Sequence, residues 1–169
     1  CSAVDAAHRR QLIHRDLKPE NIFLARHPAA EGPSEIVKVL DFGIAKSISL
    51  PEQIPATQAP TLDTEPGILI GTAAYMSPEQ LTRDAVSISW DLWALSVVAY
   101  EMLVGVLPFA PTPGGDWARA VLTGSFTPVS QQLPQAPARW HQFFARTFAV
   151  SRTARPSSAR DFLEQLEEA

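Results

Sequence analysis

His14-Arg15-Asp16-Leu17-Lys18-Pro19-Glu20-Asn21 puts the carboxylate of Asp16, the ammonium of Lys18 and the carboxamide of Asn21 within eight residues, and Asp41-Phe42-Gly43 adds a further carboxylate about twenty residues later. Between them stand two short apolar runs, Ile22-Phe23-Leu24 and Ile36-Val37-Lys38-Val39-Leu40, separated by a Pro- and Gly-bearing turn. That pattern predicts a β-hairpin. The hairpin would bring Asn21 and Asp41 beside each other, at the mouth of the loop that carries Asp16. On the near side, residues 3–11 are helix-compatible and run into Leu12-Ile13.

Further out, residues 41–79 carry Pro51, Pro55, Pro60 and Pro66 and the threonines Thr57, Thr61 and Thr64, with no sustained periodicity. Residues 90–104 are apolar on nearly every face, which predicts a buried helix, with Ser87 or Ser89 as its cap and Gly105 as its end. Residues 116–122, 138–148 and 157–168 read as helices, the last with Ser157 or Ser158 as cap and Phe162, Leu163 and Leu166 as an apolar stripe. The Pro-rich stretches 108–115 and 128–137 read as connectors.

With 169 residues the chain is the length of one domain and can bury a sizeable core. Its net charge is −4 and its basic residues are scattered, so no electrostatic footprint for nucleic acid or anionic lipid is present. The most apolar stretch, residues 92–104, is interrupted by Glu101 and falls short of the roughly twenty residues a membrane span needs. A single cysteine, Cys1, excludes an internal disulfide framework and fits a reducing, cytoplasmic setting. His8, His27 and His141 form no ligand spacing and are expected at the surface; Trp90, Trp93, Trp117 and Trp140 are expected in the core or a groove.

The eight-residue run and the Asp-Phe-Gly triplet together resemble the catalytic lobe of a protein kinase. Further matches follow in order. Gly71-Thr72 and Tyr75-Met76-Ser77-Pro78-Glu79 resemble the end of an activation segment, with Ser77 where alanine is more usual. Asp91-Leu92-Trp93-Ala94-Leu95 resembles the start of the family's central helix, with Ser96 where glycine is usual and Trp90 where a small residue often precedes the aspartate. Arg155-Pro156 resembles the arginine near the end of the fold. The fold this implies is mainly α (α+β): a protein-kinase-like C-terminal lobe, helical, with a small hairpin around the catalytic loop. Residues 1–169 would form a partial kinase domain, with catalytic loop 14–21, activation segment 41–79 and helical subdomain 87–169. Only thirteen residues precede His14, so the Gly-rich loop, the strand lysine and its helix glutamate have no place in this chain, and the N-terminal β-rich lobe is absent from it.

The resemblance implies a serine/threonine kinase of bacterial type that uses ATP and magnesium on protein hydroxyls, Lys18 being the mark of serine/threonine rather than tyrosine kinases. Asp16 would orient and deprotonate the acceptor hydroxyl, Lys18 would meet the transferring phosphate, and Asn21 and Asp41 would supply hard oxygen ligands to Mg2+. Phe23 would lie beneath the adenine. Thr72 would tie the activation segment to Asp16 and Lys18, and Gly43 would let the backbone change course after Phe42. Arg15 would dock an activation-segment phosphate, on Thr61 or Thr64 before Thr57, against the alternative of a linker with incidental threonines. Glu79 and Arg155 would form a buried ion pair, and His14 would stack under Phe42 with its ring held from below by Asp91. In the parent protein a sensor or membrane anchor could follow this segment, while the isolated chain is expected to be weak or inactive. A second reading is a kinase-like binding or scaffold remnant without transferase activity.

Overall fold

The computed structural model describes residues 1–26, 35–42, 73–109 and 117–169. Helix α1 (Ser2–His8) leads into the loop, a single 3-10 turn (Pro19–Asn21) closes it, and β1 (Ile22–Arg26) pairs antiparallel with β2 (Glu35–Val39). After the 43–72 stretch come α2 (Pro78–Leu81), α3 (Ile88–Val104), α4 (Trp117–Thr123), α5 (Val129–Gln132), α6 (Ala138–Thr147), a 3-10 turn (Arg152–Ala154) and α7 (Ala159–Glu168). Among the described residues the architecture is therefore the expected mainly helical lobe with one small hairpin.

Helix α3 organises it. Its residues from Asp91 to Val98 are all buried, as a helix apolar all round requires. Trp93 stacks on Phe109 at 5.4 Å between ring centres and meets Phe148 edge-on at 5.3 Å, while Tyr100 meets Phe144 edge-on at 5.0 Å. Each such pair contributes about 0.5–1.5 kcal/mol beyond the area it buries. These rings clamp α6 and the segment after it onto α3, and α7 closes the lobe against α1. Gly105 ends α3 in the left-handed region at φ 83°. At 17 residues α3 is about 25 Å long. No helix among the described residues is long and apolar enough to cross a membrane.

Several expected boundaries shift. Helix α1 stops at His8, not Gln11, because the chain turns through Gln11 at φ 60° to enter the loop. Ser87 occupies the cap position of α3, yet its hydroxyl bonds Ser89 Oγ at 2.7 Å instead of a helix N–H. Ser158, not Ser157, caps α7, accepting from the N–H of Asp161 at 3.0 Å. The 128–137 connector contains one helical turn, α5, which buries Val129. In the hairpin the register pairs Ile22 with Val39 and Arg26 with Glu35. Its base is half-buried, whereas Phe23, Leu24 and Val37 stay 49%, 68% and 54% exposed.

Candidate active site

The loop that carries Asp16 is held at both ends by buried polar groups. Asp91, at the start of α3 and 1% exposed, accepts the backbone N–H of His14 on Oδ2 and of Arg15 on Oδ1, each at 2.8 Å. Arg15 sits in the left-handed region at φ 68°. A non-glycine residue there is uncommon, and the two bonds to Asp91 hold the turn on both of its amides. At the far end the side-chain amide of Asn21 donates to the carbonyl of Asp16 at 2.8 Å. Asp16 is thereby fixed through its main chain while its half-buried carboxylate faces Lys18 Nζ at 3.4 Å.

His14 is fully buried and both ring nitrogens are used. Nε2 lies 2.8 Å from the carbonyl of Leu40, which can only accept, so Nε2 carries the proton. Nδ1 then accepts from the Asp16 N–H at 3.3 Å. The ring joins the loop to the end of β2 and meets Phe42 at 4.9 Å, tilted by 53°. The expectation that Asp91 holds this ring from below is corrected: the carboxylate holds the backbone of His14, and the ring is held by Leu40. The amide of Leu40 in turn donates to the carbonyl of Asn21 at 2.9 Å, so exposed Asp41, at φ 56°, follows directly on the residue bonded to Asn21.

His8 is the residue sequence reasoning missed. Expected at the surface, it buries its side chain to 7% exposure and donates from Nε2 to Asp91 Oδ2 at 2.8 Å. Asp91 thus gathers three donors from α1 and the loop. The partner lies 83 positions away, and the only sequence signal was that His8 stands on the last turn of the helix feeding the loop.

Beyond the loop, Ser77 and Gln80 form a reciprocal cap on α2. Gln80 N–H donates to Ser77 Oγ at 3.3 Å, and Ser77 N–H donates to Gln80 Oε1 at 2.9 Å. The Tyr75 hydroxyl donates to Glu101 at 2.7 Å, and burial, reinforced by that carboxylate, pushes the phenol well above its ordinary range. Glu79 is gripped by Arg155 at 2.9 and 3.2 Å, with side-chain exposures of 4% and 2%. Arg155 also lies 4.8 Å over the Trp93 ring. A second arginine not foreseen, Arg152, reaches Glu79 at 3.5 Å and Asp84 at 2.7 Å. Ser96 satisfies its buried hydroxyl on the Leu92 carbonyl at 2.8 Å. Gly43, Thr57, Thr61, Thr64, Gly71 and Thr72 lie outside the described residues.

Among the described residues no three His, Cys, Asp or Glu side chains converge as a metal cage. The pair Asn21 and Asp41 nevertheless fits magnesium, which takes few protein ligands and draws the rest of its shell from water and phosphate. The Asn21 amide nitrogen is committed to Asp16, so a cation held here would take the Asn21 carbonyl oxygen.

The protein kinase domain family matches residues 1–168. Among similar proteins, serine/threonine-protein kinase Pkn1 of Myxococcus xanthus is 49% identical over 109 residues, covering 64% of this chain and 14% of that protein. Serine/threonine-protein kinase pkn3 of the same organism is 37% identical over 169 residues, covering 98% of this chain and 29% of that protein. A probable serine/threonine-protein kinase PknB of Bifidobacterium longum is 35% identical, covering 95% and 21%. The chain therefore spans less than a third of the length of these relatives. Among solved structures, the Rad53 kinase domain superposes with a TM-score of 0.65 at 22% identity, covering 97% of this chain and 53% of that one, a likeness of fold. With the loop, the lobe and the match in agreement, this chain belongs to the protein kinase family and, within it, to the bacterial serine/threonine type.

Proposed function

We propose that the chain is the catalytic lobe of a kinase that transfers the γ-phosphate of Mg-ATP to serine or threonine hydroxyls of a protein. The observation that carries this is the doubly anchored Asp16, with Lys18 Nζ 3.4 Å from its carboxylate and Asn21 bonded to its carbonyl. Phosphoryl transfer asks little covalent work of a protein, so a rigidly held carboxylate beside a cation is the apparatus it needs. Asp16 orients the acceptor hydroxyl and takes its proton as the oxygen bonds to the γ-phosphorus and the bond to the departing ADP oxygen breaks. Lys18 offsets charge on the transferring group. Magnesium, when held by Asn21 and Asp41, neutralises phosphate charge. His14 stays outside the chemistry, both of its nitrogens being spent on the scaffold.

Nucleotide use is supported by the fold shared with the Rad53 kinase domain, which was solved in complex with AMPPNP. Half-exposed Phe23 offers an apolar floor for the base. A cytoplasmic setting suits a protein that draws on ATP and whose Cys1 forms no disulfide. The metal half of the reading is tested in the full-length parent by titrating Mg2+ at fixed ATP. Asn21→Ala and Asp41→Asn should each raise the Mg2+ needed for half-maximal transfer. An unchanged requirement would remove that residue from the metal site.

A further inference from the structure

Under the catalytic loop, where it meets the first turn of α3, lies a small cavity of about 30 Å3, partly open to solvent, whose walls include Asp16, Gln80, Trp90 and Asp91. The indole N–H of Trp90 is buried and meets no acceptor among the described residues. A buried donor left in this state is costly, and such donors are normally satisfied by protein or by ordered water. Trp93 and Trp117 also bury an indole N–H without a partner, but neither lines this cavity.

The space is ample for a water molecule, and its polar lining suits water rather than an apolar guest. Acceptor capacity is at hand. Asp91 Oδ2 takes the N–H groups of His8 and His14, while among the described residues Oδ1 takes only that of Arg15 and keeps a lone pair. Gln80 spends its Oε1 on the cap of α2 and reaches the Arg15 carbonyl only at 3.5 Å, so its amide N–H groups can still donate. Trp90, Asp91 and Gln80 together give the two to four polar partners a buried water requires.

We propose that this cavity holds one ordered water that accepts from the indole N–H of Trp90 and donates to Asp91, linking the start of α3 to the loop that carries Asp16. Trp90 is then a positioning residue, acting through the water and Asp91 on the backbone of His14 and Arg15. The tryptophan stands where the family resemblance leads one to expect a small residue, so the donor is a feature of this chain. The water itself does not depend on the kinase reading; the positioning role rests on it.

The test uses the parent kinase, wild type and Trp90→Phe, which keeps an aromatic ring and removes only the N–H donor from it. High-resolution crystallography should show one solvent peak within about 3.2 Å of both Trp90 Nε1 and an Asp91 carboxylate oxygen, lost in the variant. No peak in the wild type, or an unchanged peak in the variant, overturns the site; the wild-type density decides even if the variant fails to fold. In kinetics Trp90→Phe should lower kcat several-fold at unchanged KM for ATP. An unchanged kcat overturns the positioning role. Absence of transfer by the wild type itself would count against the kinase reading, with the density still deciding the water.

Discussion

Replacing Arg155 by alanine isolates the interaction that ties α2, through Glu79, to the rest of the lobe. The guanidinium makes two contacts with Glu79, at 2.9 and 3.2 Å, and donates to the carbonyls of Ala149 and Val150 at 2.7 and 3.2 Å. Its removal strands a carboxylate that is only 4% exposed, and breaking a buried pair from one side costs about 3–5 kcal/mol. Arg152 works against the full loss, since its Nε is already 3.5 Å from Glu79. It is 47% exposed and engaged with Asp84, however, and a pair of that kind is worth no more than about 1 kcal/mol. The expected cost of Arg155→Ala is therefore about 2–4 kcal/mol, against about 0–1 kcal/mol for Arg152→Ala. The double variant should lose more than the sum, because only in the Arg155→Ala background is Arg152 the last cation facing Glu79 among the described residues. Urea unfolding of the kinase domain followed by tryptophan fluorescence measures all three, with Trp93 reporting directly because Arg155 lies over its ring. A loss below about 1 kcal/mol for Arg155→Ala, or strict additivity in the double variant, would refute the reasoning.

Ser158→Ala removes the acceptor for the Asp161 N–H and should cost about 1 kcal/mol in the same unfolding assay. Gly105→Ala should cost about 1–2 kcal/mol from the left-handed backbone alone, since an added Cβ would meet nothing within 4 Å. Asp161 accepts from the Ser157 backbone N–H at 2.7 Å, then from Gln165 and the Ser157 hydroxyl, and these bonds hold its carboxyl below the ordinary range. A depressed folded-state pKa means stability that is fully present above the unfolded value near 4 and lost as pH falls through the lower folded value. Asp161→Asn should therefore destabilise at neutral pH, with the gap from wild type closing in acid. A gap that widens on acidification would reverse the sign of this argument.

What could be read along the chain was whatever depends on neighbours. The eight-residue loop, the hairpin at Asn21 and Leu40, the all-apolar α3 and its glycine stop follow from local pattern and turn chemistry. Those signals carried the elements, while the protein kinase family came from the resemblance of the eight-residue run and the Asp-Phe-Gly triplet. What could not be read depends on partners brought together only by folding. His8 forms no ligand spacing in sequence, and its partner Asp91 is 83 positions away across the core. Asp91 itself was placed under the wrong part of His14, because sequence cannot tell a carboxylate that holds a ring from one that holds two amides. Arg152 likewise carries no sequence signal of its pairing with Glu79 and Asp84, which lie 73 and 68 positions away. Ser77, read only as a departure from alanine, has a physical reason once Gln80 completes the cap.

The central claim is that Asp16 is the residue that positions and deprotonates the acceptor. Intact mass of a serine/threonine-rich acceptor protein after incubation with Mg-ATP and the full-length parent, wild type beside Asp16→Asn, tests it most directly. Phosphate addition by the wild type that is abolished in Asp16→Asn is the expected result. Addition that survives in the variant would take Asp16 out of the mechanism.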